Sequence, residues 1–138
     1  MARVNQHEAE IALAEEQRRV RPDDLGAVLA TREQVERKAN RKGRLRRFAG
    51  DIRTMFDMVR DYWNGSYRAV PWYSIAAIAG ALLYIFNPLD LIPDLILTFG
   101  LVDDAAVTAA CLSMVSSDLD AYRRWRAARS GTETNQAP

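Results

Sequence analysis

Two prolines, a glycine and four aspartates interrupt the most apolar part of this 138-residue chain. They lie in Asn87-Pro88-Leu89-Asp90-Leu91-Ile92-Pro93-Asp94 and, shortly after, in Gly100-Leu101-Val102-Asp103-Asp104. Residues 69–89 before the first aspartate are uncharged, and so are residues 105–117 after the last. A helix cannot run undisturbed through these prolines. Carboxylates in such surroundings must be paired, hydrogen-bonded or solvated. The chain therefore predicts two apolar helices joined by a turn rich in Pro and Asp.

The flanking segments follow helical periods. Leu45, Phe48, Ile52, Met55, Phe56, Val59 and Tyr62 recur at spacings of three and four, the stripe of an amphipathic helix over 44–63. Asn64-Gly65-Ser66 ends it. The next helix is expected over 71–86, with Pro71 in its first turn. Ser74, Ala76, Ala77, Ala79, Gly80 and Ala81 are small enough for a neighbouring backbone to come close, and Ile75, Ile78, Leu82, Leu83 and Ile85 add bulk. Apolarity all round means burial, in protein or in lipid. Residues 89–98 read as a turn plus a short helix broken at Pro93. Asp103 is placed to cap a long last helix carrying Val107, Leu112, Val115, Leu119, Tyr122 and Trp125. Upstream, 6–20 reads as a polar helix with a weak apolar face, ended by Arg21-Pro22-Asp23-Asp24 before a second helix with Leu25, Val28, Leu29 and Val35. No strand-like alternation appears. The class is all-α: a small helical bundle or helical hairpin, divided into a polar helical arm over 1–40, a helical domain over 41–129 and a disordered tail over 130–138.

A net charge of +1 argues against a bulk nucleic-acid binder. The charge is unevenly spread, however. Arg37, Lys38, Arg41, Lys42, Arg44, Arg46 and Arg47 follow one another without an intervening acid. The lone Cys111 excludes an internal disulfide, and its neighbours suggest a buried thiol. The first twenty residues mix acids and bases and lack the apolar stretch of a signal peptide, so any membrane insertion is expected to use internal segments, with cytoplasmic termini.

Tyr84…Asn87-Pro88-x-Asp90-Leu91-Ile92-Pro93-Asp94…Gly100-x-x-Asp103-Asp104 resembles the signature of the YkvA-like family, domain of unknown function 1232. The resemblance is strong over 72–104 and weaker over the preceding amphipathic helix. It implies a small, helical, mostly bacterial and membrane-associated protein, and no chemistry.

The aspartates admit three readings. Asp90, Asp94 and Asp103 can cap short helical turns, each contributing about 0.5–2 kcal/mol. Asp90, Asp94, Asp103 and Asp104, with Asn87 or backbone carbonyls, could hold a hard cation such as Mg²⁺ or Ca²⁺. One of them could pair with an arginine such as Arg68. Zinc is disfavoured, since His7 and Cys111 lie far from the cluster.

Residues 69–89 reach the roughly 20 needed for a membrane-spanning helix. Trp63, Tyr67, Trp72, Tyr73, Tyr122 and Trp125 could form an interfacial belt. The basic run would meet anionic lipid, with the 44–63 helix along the interface. Against this stand a mean hydropathy of −0.24 and the short 105–117 run, which Asp103 and Asp104 precede. A soluble bundle with 71–86 at its centre is the competing arrangement. No phosphate-cradling loop or catalytic constellation is visible. The expectation is a membrane-associated, non-catalytic structural or accessory protein that meets lipids and has no nucleic-acid partner. The alternative is a soluble cytoplasmic helical domain binding a divalent cation or a partner protein through the Asp-rich turn.

Overall fold

A computed structural model describes residues 2–41, 43–87 and 103–136. Helix α1 (Ala2–Arg19) stops before Pro22, and Pro22–Asp24 forms a 3-10 turn. There Asp24 accepts the Arg21 N–H at 2.8 Å. Helices α2 (Leu25–Ala30) and α3 (Arg32–Arg41) follow. A second 3-10 turn, Leu45–Phe48, leads into α4 (Ala49–Trp63). Gly65 adopts φ +86° beyond the end of α4, the left-handed backbone that glycine tolerates best. Helix α5 (Trp72–Phe86) and the long α6 (Asp104–Gln136) complete an all-α bundle. No strand occurs among the described residues.

Helix α5 is the axis of the core. Ser74 through Leu82, Tyr84 and Ile85 are all buried. Helices α1, α2, α3, α4 and α6 all pack against it. The stripe read from 44–63 is seen as such, since Leu45, Ile52, Met55, Phe56 and Val59 face inward. Small residues on α5 permit the expected close approach. A Cβ at Gly80 would lie 3.0 Å from the Glu16 Cβ and 3.1 Å from the Gln17 backbone nitrogen. On the other side Ser74 donates its hydroxyl to Asp118, and the Cys111 thiol meets the Ala77 carbonyl at 3.6 Å.

Two expectations change. The span foreseen over 69–89 is a 15-residue helix, about 22 Å long at 1.5 Å per residue and short of a bilayer core of about 30 Å. The chain before Trp72 is not helical, Asn87 ends α5, and protein covers its sides. No helix among the described residues is long and apolar enough to cross a membrane. The amphipathic α4 does not lie along an interface, because its apolar face is spent inside the bundle. In the stretch read as a polar helical arm, Ala9, Ala12 and Leu13 are fully buried against α5 and α6. Helix α6 continues to Gln136, into the stretch read as a tail. The turn and short helix foreseen over 89–98 lie outside the described residues, as do Lys42, Pro88, Asp90, Pro93, Asp94 and Gly100.

Candidate functional site at the acidic junction

The part of the signature that the structure describes sits where α5 ends and α6 begins. Asn87 closes α5, its N–H bonding to the Leu83 carbonyl at 3.0 Å. Asp103 caps α6: its carboxylate accepts the Ala105 N–H at 2.9 Å, and its carbonyl accepts the Val107 N–H at 3.1 Å. Here the capping reading holds, and a carboxylate at this end also complements the helix dipole.

Both aspartates additionally face cations from the basic run. Arg44 Nη1 lies 2.8 Å from the Asp103 carboxylate. Lys38 Nζ lies 2.8 Å from Asp104 Oδ2 and donates to the Ile85 carbonyl, also at 2.8 Å. Lys38 thus ties the last turn of α5, where carbonyls lack helical partners, to the first residue of α6. The two pairs differ in weight. Arg44 is 80% exposed, and such a surface pair contributes at most about 1 kcal/mol. Lys38 and Asp104 are 26% and 18% exposed, so theirs is the better-shielded contact. Arg68 donates to the Tyr62 carbonyl and lies over the Tyr62 ring, and among the described residues it pairs with neither Asp103 nor Asp104.

Of the four carboxylates in the cation reading, Asp103 faces the Arg44 guanidinium and Asp104 the Lys38 ammonium, and Asp90 and Asp94 lie outside the described residues. No group of three or more His, Cys, Asp or Glu among the described residues is arranged to hold a metal. In the basic run, Arg37 bonds Glu33 one turn away at 2.7 Å. Arg41, Arg44, Arg46 and Arg47 are exposed, and Arg47 lies 4.7 Å over the Phe48 ring. A groove of about 510 Å³ is lined by Ala105, Ala106, Ala109 and Ala110 of α6 together with Arg44 and Arg47 and the acids Glu10 and Asp103.

A family model described as a protein of unknown function (DUF1232) matches residues 74–110, from α5 through this junction into α6. The uncharacterized membrane protein YkvA of Bacillus subtilis (strain 168) is 41% identical over 75 residues, which cover 54% of this chain and 71% of that protein. The chain belongs to the YkvA-like family. No solved structure matches it. The YkvA-like signature here thus comprises the central helix, its end and the cap of the helix that returns beside it, while the cations that answer its last two aspartates come from outside the matched segment.

Other acids of this YkvA-like chain lie in or beside the core, although Asp57 and Asp61 belong by sequence to the polar surface of the 44–63 helix. Asp57 meets Arg32 and Arg126 at 2.8 Å each. Asp61, 7% exposed, accepts the Tyr122 hydroxyl at 2.6 Å. Burial and then that bond raise the Tyr122 phenol above its ordinary range. Glu16 is buried on α1. Each sits on a helix whose partner is distant in sequence, so no local spacing announced it. The aromatic belt is divided: Tyr67, Tyr122 and Trp125 form one ring cluster inside, and Trp63 and Tyr73 stay exposed.

Proposed function

We propose that this protein is a non-catalytic accessory factor that associates with a membrane as a folded bundle, meeting anionic lipid through the edge formed by Arg41, Arg44, Arg46 and Arg47. The observation that carries this reading is the exposure of all four, with Arg44 and Arg47 lining a groove that Asp103 of the signature junction also lines. Among the described residues only Arg44 of these four has an ion pair. A basic residue near an anionic leaflet contributes about 1 kcal/mol, so the edge supplies several. The name of the Bacillus relative, an uncharacterized membrane protein, supports the same location.

A non-catalytic role draws support from the nucleophile and base in view. His7 is exposed on α1. Cys111 is buried between α5 and α6, and burial pushes its thiol up to about 12. A thiol so placed is inert as a nucleophile.

Flotation with vesicles tests the reading. The protein should rise with phosphatidylglycerol-containing vesicles, stay behind with phosphatidylcholine alone at about pH 5.5, and be released by about 0.5 M salt. Replacing Arg41, Arg46 and Arg47 together by Gln should abolish flotation and leave the fold intact. Binding that ignores lipid charge, or that survives carbonate extraction, would replace peripheral docking with insertion.

A further inference from the structure

The buried stripe of α1 contains a carboxylate where an apolar side chain belongs. Ala9, Ala12, Leu13 and Val20 are the buried apolar residues of this stretch, and Glu16 falls between them at helical spacing, 1% exposed. Its Oε1 has no hydrogen-bond partner, although buried polar atoms nearly always have one. Gly80 lies directly beneath, at the closest approach of α1 to α5.

A cavity of about 280 Å³ adjoins Glu16 and is bounded by Arg19, Asp24, Ala27 and Leu83. The charged groups around Glu16 are Glu15 and Arg19 on its own helix and Asp24 at the following turn; α5 and α2 face it with Gly80, Leu83 and Ala27. No charge on α6 acts on it among the described residues. Burial dominates and lifts the carboxyl to about 7; Arg19 opposes this, and Glu15 adds slightly to it. Neutral, the group tolerates its place. Ionised, it requires water, which arrives through the cavity or when α1 lifts away.

We propose that α1 is a proton-controlled cover on α5: protonated Glu16 holds the two helices together, and its ionisation frees α1 and bares the uncharged face of α5 to the acyl region of a bilayer. The cover stands on the α1–α5 geometry alone, whereas the bilayer as occupant rests on the membrane association proposed above. Helix α5 carries no charged residue between Trp72 and Phe86, and its contact with α1 is built on small residues, so the uncovered surface suits lipid chains.

Hydrogen exchange on the full chain tests the cover without lipid. Between about pH 5.5 and pH 8.5, after correction for intrinsic rates, protection over α1 and the Gly80 turn of α5 should fall at least about tenfold, a modest share of what a carboxyl shifted this far can deliver. Protection in α4 should hold. Glu16→Gln should flatten the response, and Glu16→Leu, which suits an apolar site, should flatten it too if the amide variant folds poorly. An unchanged parent profile, or an equal fall in both variants, would overturn the cover. Phosphatidylcholine vesicles, which avoid the arginine edge, test the occupant. Uptake by the parent at about pH 8.5 but not at about pH 5.5, and by neither variant, is the expected result. Exchange that responds to pH without vesicle uptake would remove the bilayer as occupant. Loss of anionic flotation at about pH 5.5 would instead count against the arginine edge.

Discussion

Tyr122 on α6 donates its hydroxyl to the buried carboxylate of Asp61 on α4 across 2.6 Å, and these residues stand 61 positions apart. The Asp61 carboxylate also accepts from Arg60 Nε at 3.2 Å, and its carbonyl accepts the Tyr67 N–H at 3.0 Å. One acid thus joins α4, the turn after it and α6. Removing the hydroxyl while keeping the ring isolates its share. Tyr122→Phe should cost about 1.5–3 kcal/mol, the range for a hydrogen bond to a charged group, read from the midpoint of urea unfolding at unchanged slope.

The two cations at the acidic junction should prove unequal. Lys38→Met removes both a half-buried ion pair and the donor to the Ile85 carbonyl, at a cost of about 2–3 kcal/mol. Arg44→Gln should cost less than about 1 kcal/mol. Equal losses in thermal melts would mean that the Asp104 pair is no better shielded than its neighbour.

Glu16 makes stability depend on pH in the direction opposite to a salt-bridged acid. Its carboxyl is raised from 4.5 to about 7 in the folded chain. Below the unfolded value both states hold the proton, and burial carries no ionic penalty. From there to about pH 7 the unfolded state gives up its proton first, so stability falls as pH rises, then levels off. The loss is on the order of 2–3 kcal/mol. Glu16→Leu should therefore stabilise the protein at about pH 8 and have a smaller effect at about pH 4, as measured by denaturant unfolding at the two values.

Gly80→Ala should act on the same contact sterically. The added methyl meets the Gln17 backbone at 3.1 Å, and backbone cannot swing aside as a side-chain tip can. Overpacking of this kind costs about 1–3 kcal/mol. Limited proteolysis should register it as faster cleavage within α1, with α4 and the body of α6 still protected.

Cys111 should stay silent toward alkylation in the folded chain. Its thiol is fully buried and pushed up to about 12, so almost no thiolate exists near pH 8. Iodoacetamide followed by mass spectrometry should find it unlabelled natively and labelled after denaturation; rapid native labelling would show that the α5–α6 contact opens.

Much of this architecture could be read from residue order. The stripe from Leu45 to Tyr62 marks α4 because one face of a helix leaves a three-and-four spacing, and Asp103 declares itself as a cap by preceding an uncharged run. The partner that buries α5 could not be read. Apolar residues all round a helix look the same whether protein or lipid surrounds them, and only the observed packing of α1, α4 and α6 decides between them. The docking stripe of α1 was masked because two of its contacts are alanines and a third is Glu16. At the junction, Arg44 and Asp103 are separated by 59 residues, so the basic run looked unanswered although two of its cations have acids waiting in the fold.

The bridge from Lys38 to Ile85 and Asp104 bears on how this protein can be divided. The stretch that the family model recognises supplies the anion and the helix ends, and a residue some forty positions upstream supplies the ammonium that joins them. Cutting the chain before Ala49 would strip away that ammonium together with the lid over Gly80, leaving a remnant obliged to find cover in detergent, in lipid or on another copy of itself.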